Sequence, residues 1–448
     1  MILPVGASIK IASGIPQLDK ISIPSLTALA GCVIFAKYPF RLYRRLGLIE
    51  LLLLILVFSP LVTSLLNLDT VRSGPVILPG VGFYDGLSAI AGQFLFILPF
   101  FLGRLHLSNS NDLEQTLKIT AAAGIVYSLP MLYEIRMSPQ LHNILYGYFP
   151  FGFSTQMREG GFRPSVFLDN GLVASFFLMT AIIASVTLWR LQKRVFKTAT
   201  AVWTAYLSGV LVLCKSLGSL VYGLALAPIA GFARPRTQVK VACLLAVIAV
   251  FYPLLRAADL IPTNSMVTAA SWVDKDRAGS LEVRFDQEKP MLDRALERMM
   301  FGWGRYGRSR IFDDWGHDIS VTDGRWIITL GQFGIVGFLA EFGLLTIAIF
   351  SAATAVGFAE TPEDAILLAA ISLIVAVNMI DLLPNASLSP WTWLLTGALV
   401  GRKENIRATM RVPRQILKAG MPAEAEQPVF RHDPLGGSRV KRLHTHKL

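Results

Sequence analysis

Apolar stretches close to the length that crosses a bilayer recur along most of this chain, and few folds can absorb so many. A helix rising about 1.5 Å per residue needs roughly 20 apolar residues to cross a hydrocarbon layer about 30 Å thick. Hydrophobic runs mark spans at about 25–40, 47–66, 86–103, 115–134, 171–189 and 198–214, then at 217–233, 239–255, 327–352, 364–383 and 389–401. Only 16% of the 448 residues are charged and 53% are hydrophobic, whereas soluble domains carry about 25% charged residues. With a re-entrant segment allowed near Tyr146–Phe153, the expected fold is an all-α integral membrane protein of about 11–12 transmembrane helices.

The net charge of +12 invites a nucleic-acid reading, but its placement points elsewhere. Lys37, Arg41, Arg44 and Arg45 follow the first span; Arg190, Lys193, Arg194 and Lys197 form a second cluster; Arg234, Arg236 and Lys240 form a third. The tail from Arg402 adds eleven Lys/Arg against four acids and almost no aromatics to interleave with bases. Such clusters alternate with loops that lack the bias, which is the positive-inside pattern, so they are expected to face the cytoplasm, with no nucleic acid as partner. Counting back from them puts the N-terminus outside, the C-terminus inside, and residues 67–85, 135–170 and 256–326 on the outer side. No cleavable signal peptide is expected, since the first 24 residues lack the basic start, apolar stretch and small-residue site. Cys32, Cys214 and Cys243 lie in or at the ends of apolar segments, which argues against a disulfide framework, and no Cys/His spacing suggests a metal.

Four regions follow: an N-terminal transmembrane bundle over 1–255, a large periplasmic loop over 256–326, C-terminal transmembrane helices over 327–401, and a basic cytoplasmic tail over 402–448 expected to be disordered. The loop is charge-rich yet nearly neutral, with ten Lys/Arg and eleven Asp/Glu over residues 274–325. KPMLDRALERMM, residues 289–300, places Leu292, Leu296 and Met299 on one face. Pro290 suits a first helical position, so the stretch predicts an amphipathic helix lying on the bilayer. The GWGRYG that follows reads as a close-approach loop.

The outer loops gather arginines where the positive-inside pattern makes them unexpected: Arg158 and Arg163 before a middle span, then Arg284, Arg294, Arg298, Arg305 and Arg325 in or at the end of the large loop. Guanidinium stays charged and bonds phosphate oxygens in bidentate fashion, so the group suits an anionic substrate; ion pairs with nearby acids or headgroup contacts are the structural alternative. Asp323, at the lip of a span, could accept a proton from a sugar hydroxyl or pair with Arg325 or another loop arginine. His317, the only histidine in the large loop, could act as a base or be a solvated hydrogen-bonding residue. Gly331, Gly334 and Gly337 have the small-residue spacing of tight helix packing. No phosphate-binding loop, dinucleotide fingerprint or serine-hydrolase elbow is present. Lys215 and Asp381 are ionisable groups near span ends.

In this order the chain resembles the O-antigen polymerase and O-antigen ligase superfamily over roughly residues 150–350. GGFRPSVFLDNG is similar to that family's arginine segment before a middle span, and CKSLGSLVYG to the small-residue segment before its loop. VRF followed by MLDRALERMMFGWGRYG resembles its arginine, amphipathic helix and Gly-x-Gly, and TDGRWIITLGQFGIVG its loop exit. One departure stands out: Asp323 occupies the place where ligases carry a histidine, and His317 lies six residues earlier. This favours a polymerase over a ligase. The resemblance implies a GT-C-like, metal-independent glycosyltransferase without cofactor. Its donor is a glycan on undecaprenyl diphosphate and its acceptor another lipid-linked repeat unit. Arg163 and Arg284 would then hold the diphosphate, with Arg158, Arg294, Arg298, Arg305 or Arg325 assisting, and Asp323 or His317 would orient or deprotonate the acceptor. Membrane lipid and other polysaccharide assembly and export proteins would be partners. A flippase for lipid-linked oligosaccharide and a non-catalytic export component are the competing classes; a flippase predicts internal repeats and charges within the spans, and neither is evident.

Overall fold

The structure, a computed structural model, describes residues 3–10, 17–35, 47–150, 152–158, 160–272, 275–320 and 323–418. The basic cluster at 37–45 and the tail beyond 418 lie outside these residues. Helices dominate: α1 (Ser22–Phe35), α2 (Leu48–Leu65), α3 (Phe83–His106), α4 (Ser110–Met137), α5 (Leu141–Tyr146), α6 (Gly171–Arg190) and α7 (Thr200–Leu213) make up the first half. The second half holds α8 (Leu217–Phe232), α9 (Pro235–Ala257), α10 (Thr263–Ser271), α11 (Lys275–Leu296), α12 (Arg325–Val356), α13 (Pro362–Asp381) and α14 (Pro390–Lys418). Three short antiparallel hairpins, β1–β2 (Val71–Ser73 with Val76–Leu78), β3–β4 (Met157–Arg158 with Gly161–Phe162) and β5–β6 (Arg194–Val195 with Thr198–Ala199), close loops.

Every apolar run read from the sequence meets a helix. Six of these, α2, α3, α6, α9, α12 and α13, are long and apolar enough to cross a membrane, while α1, α7 and α8 are apolar but shorter. The core sits on α6 and α13, whose apolar windows are 78% enclosed by other helices, against 33% for α9. A helix apolar all round belongs inside such a bundle, and Leu178, Ile183, Leu368 and Leu373 are fully buried there. α3 meets α14 through glycines: a Cβ at Gly397 would lie 2.0 Å from the Phe100 carbonyl oxygen, and one at Gly401 2.2 Å from that of Arg104. Only backbone can pass at that separation, and nearby Arg104 is gripped by Glu50 and Glu404 (2.5 Å each).

Two expected boundaries move. The amphipathic helix begins at Lys275 rather than near 289, so Pro290 lies inside α11. Its buried face is Phe285, Met291, Leu292 and Ala295, whereas Leu296 and Met299 are exposed. The last helix continues past 401 to Lys418, so residues 402–418 are helical rather than disordered. Residues 1–406 form one compact unit and residues 407–448 another, whose described part is the helical end of α14.

Candidate functional site

The loop after α2, the loop before α6, the long segment between α9 and α12, and the turn after α13 converge at one end of the bundle. The GWG segment is fixed there by backbone contacts. Trp303 N–H donates to the Gly331 carbonyl (2.8 Å), Gly304 N–H to that of Gln332 (2.9 Å), and Ile335 N–H to that of Met299 (2.8 Å). This docking breaks α12 at Gly334, whose φ of +66° and ψ of −168° are not helical. A Cβ at Gly334 would sit 2.4 Å from the Met300 carbonyl carbon, and one at Gly302 2.5 Å from that of Gln332. The Gly331–Gly334–Gly337 spacing, read as helix packing, thus serves at Gly334 a backbone-to-loop contact that only glycine permits.

The break brings distant charges together. Arg325 donates to Glu341 from Nε (2.8 Å) and from a terminal nitrogen (2.5 Å), across sixteen positions, and Thr329 Oγ1 adds a bond to the same carboxylate (2.9 Å). A straight helix would hold those two Cα atoms about 24 Å apart, beyond the reach of both side chains, so residues 325–333 turn back against their own continuation. Arg325 is therefore tied to a carboxylate 1% exposed within α12.

Other arginines brace the loops. Arg308, 0% exposed, donates to the carbonyls of Trp303 (3.1 Å), Asp69 (2.9 Å) and Pro79 (2.7 Å). Arg298 bonds Asn67 and pairs with Asp69 (2.6 Å), and that hydrogen bond holds the Asp69 carboxyl below its usual range. Arg294 pairs with Glu297 (2.6 Å), and its guanidinium lies 3.5 Å from the Trp303 ring centre, with that of Arg298 at 4.2 Å. Arg294 and Arg298 are thus engaged in joining α11 to its neighbours.

Arg284 and Asp323 behave differently. Arg284 Nε donates to Asp323 Oδ2 at 2.9 Å across 39 positions, with the side chains 29% and 45% exposed. Asp381, at the end of α13, accepts from Asn385 Nδ2 (2.9 Å) and Ser387 Oγ (3.3 Å), and it lies within electrostatic range of Arg284, as does Tyr222 of α8. Arg305 makes no hydrogen bond or ion pair among the described residues. Burial pulls its guanidinium below the ordinary value, Arg325 pushes the same way, and its terminal nitrogens lie 3.8 Å from where a Cβ of Gly92 would be.

A cavity of about 560 Å³ reaches this end of the bundle at Arg325. Its body is apolar, walled by α3, α4, α6, α13 and α14, with Phe96, Phe176 and Phe177 prominent. Arg325 lies in its wall with its guanidinium 5.6 Å from the Phe96 ring centre, and Asn378, Ser387 and Thr392 add polar atoms. Leu3, Ile21 and Pro24 line its margin beside Lys20, which donates to the Phe167 carbonyl (2.5 Å) and pairs with Asp169 (3.3 Å).

Arg163 packs its methylenes against Gly171 and donates weakly to the Lys215 carbonyl (3.4 Å). Arg158 is placed in β3, and its side chain is outside the described parts. His317 is 77% exposed, bonded to Asp313 (3.2 Å), and no contact brings it to Asp323. Sequence reasoning missed Glu341 and Glu134. Glu134 of α4 accepts backbone N–H bonds from Leu141 (3.0 Å), Ser165 (2.9 Å) and Val166 (2.7 Å), fixing the turn after Arg163. A lone carboxylate inside an apolar run was the available signal for both. Among the described residues no three His, Cys, Asp or Glu side chains gather as a metal centre. The Arg284 guanidinium with the half-exposed Asp323 carboxylate can hold an oxyanion and accept a proton, and the cavity at Arg325 can seat an apolar chain. Comparison with family models, characterised proteins and solved structures gave no match to this chain.

Proposed function

We propose that this protein is a membrane glycosyltransferase that polymerises undecaprenyl-diphosphate-linked repeat units into a bacterial surface polysaccharide: O-antigen, capsule or exopolysaccharide. The observation that carries the reading is the Arg284–Asp323 pair, with Asp323 two residues before Arg325, which lines an apolar cavity. The pair comes from two distant segments that each resemble a functional segment of the polymerase and ligase superfamily. In the reaction, an acceptor hydroxyl attacks the anomeric carbon of the donor. The bond from that carbon to the diphosphate oxygen breaks and its electron pair leaves with the diphosphate. Arg284 offsets the charge that grows there, as an ionic donor aimed at developing charge does. The acceptor's proton passes to Asp323, whose Oδ2 accepts a hydrogen bond from Arg284 Nε. The cavity seats the apolar chain of the carrier.

The architecture suits this assignment as a GT-C-like bundle of about 11–12 spans. It sits in the inner membrane with residues 256–326 periplasmic and the basic C-terminus cytoplasmic, where other assembly and export proteins dock. The experiment is glycan length and lipid attachment in a strain lacking the chain, complemented with wild type, Arg284→Ala or Asp323→Ala. Single repeat units on the carrier, restored to long chains by wild type alone, are expected. Long chains left on undecaprenyl diphosphate would make it the ligase, and unchanged glycans would remove the enzyme reading.

A further inference from the structure

Arg284 lies on α11 and Asp323 just before α12, 39 positions apart, so their 2.9 Å contact depends on how those two helices are held together. Both are tied to the end of α9. Arg256 of α9, 9% exposed, donates from a terminal nitrogen to the carbonyl of Phe285 (2.7 Å), the residue next to Arg284. From Nε it donates to Glu288 (3.0 Å), one turn beyond Arg284 on α11. Tyr252, one turn back on α9, places its hydroxyl 2.9 and 3.1 Å from the two Glu288 carboxylate oxygens. The Tyr252 ring meets that of Trp326 edge to face, with centres 5.3 Å apart, and the fully buried Trp326 follows Asp323 by three residues. One corner of α9 therefore holds α11 beside Arg284 and α12 beside Asp323.

Stability alone gives little reason for ions at this corner, since an apolar pair of similar volume often serves as well. What the ions add is direction. The Arg256 guanidinium takes one carbonyl and one carboxylate of α11 at the same time, which fixes the rotation and the height of that helix, and so where Arg284 stands. A displacement of about 1 Å in a reacting group can lower a rate roughly a hundredfold.

We propose that Glu288, held by Arg256 and Tyr252, is a positioning residue that sets Arg284 against Asp323 for the transfer step. The proposal rests on the polymerase reading. Glu288 does not touch substrate; it acts through Arg284. With its charge removed, Arg256 turns towards Asp259, 4.0 Å away at the end of its own helix, and releases the Phe285 carbonyl. The turn of α11 that carries Arg284 is then free to rotate, while Tyr252 still holds Trp326 and with it the start of α12.

The test follows the first new glycosidic bond made by the purified full chain in detergent, with lipid-linked repeat units extracted from a strain lacking the chain. Glu288→Gln keeps the shape of the side chain and should lower kcat about tenfold to a hundredfold with KM little changed. The carrier still binds, but the guanidinium is misplaced for the charge that grows later. In an Arg284→Ala background the same substitution should lower the residual rate no further, because its effect passes through Arg284. Tyr252→Phe, which keeps the ring against Trp326, should act in the same direction by less. Wild-type kcat in Glu288→Gln overturns the proposal. So does an equal loss with and without Arg284, the mark of a part that only supports the fold. If Glu288→Gln does not purify as a monodisperse protein, Tyr252→Phe carries the same comparison in both backgrounds. Absence of bond formation by wild type would instead sink the polymerase reading.

Discussion

Replacing Glu341 with Gln tests the bend in α12 most directly. Glu341 is 1% exposed and accepts two hydrogen bonds from Arg325 and one from Thr329. Glutamine keeps the shape and can still accept from Thr329, but it removes the charge and leaves the Arg325 guanidinium buried without its partner. Breaking one side of a buried ion pair costs about 3–5 kcal/mol. The retained amide places this substitution near 3 kcal/mol, roughly a hundredfold in the folding equilibrium. The assay is reversible unfolding in dodecyl maltoside titrated with SDS. A second arm replaces both residues, Arg325→Leu with Glu341→Leu. With no charge left unpaired, the double variant should be more stable than Glu341→Gln alone, because an apolar pair of similar size removes the desolvation cost. If Glu341→Gln unfolds within about 0.5 kcal/mol of wild type, a surface-like value, then Arg325 is not held as described and the folded-back segment fails with it.

Gly334→Ala should cost at least about 1–3 kcal/mol from its left-handed backbone alone, before the contact with Met300, and the same titration reads it; wild-type stability would mean the loop does not dock there. The Asp69 carboxyl is held low by Arg298, so its contribution is present above the ordinary carboxylate value near 4 and fades as pH falls through the lowered one. With Asp69 half-exposed, that contribution is on the order of 0.5 kcal/mol. The stability gap between wild type and Arg298→Gln should accordingly be visible at pH 7 and smaller at pH 3, and a gap that widened in acid would contradict the pairing. His317→Ala should leave glycan length at the wild-type value while Asp323→Ala shortens it; the reverse pattern would move the proton acceptor to His317.

Much of the molecule was legible in the sequence because lipid imposes a one-dimensional rule. Backbone groups in hydrocarbon must bond within their own segment, so apolar length alone located α2, α3, α4, α6, α7, α8, α9, α12 and α13 within a few residues. Charge type is local too, and it placed a cluster of arginines and acids in the segment before α12. What charge type cannot say is which partner each arginine finds. Arg294, Arg298 and Arg308 are equally cationic in sequence, but folding spends them on Glu297, Asp69 and backbone carbonyls of the loop after α2. The same folding leaves Arg305 without a partner among the described residues and sets Arg284 against Asp323.

The bend at Gly334 shows the same division. Three glycines in an apolar run carry the same sequence signal whether they pack against a helix or admit a loop. The Met299–Gly304 backbone, arriving from another part of the chain, selects the second outcome, turns α12 back and delivers Arg325 to Glu341. Sequence by itself determined that the chain is built of apolar helices with a charged segment before α12, since solvation and hydrogen bonding act residue by residue. Only the tertiary structure decided which charges are cancelled and which remain to meet a ligand, because that depends on separations of a few ångströms between residues far apart in the chain.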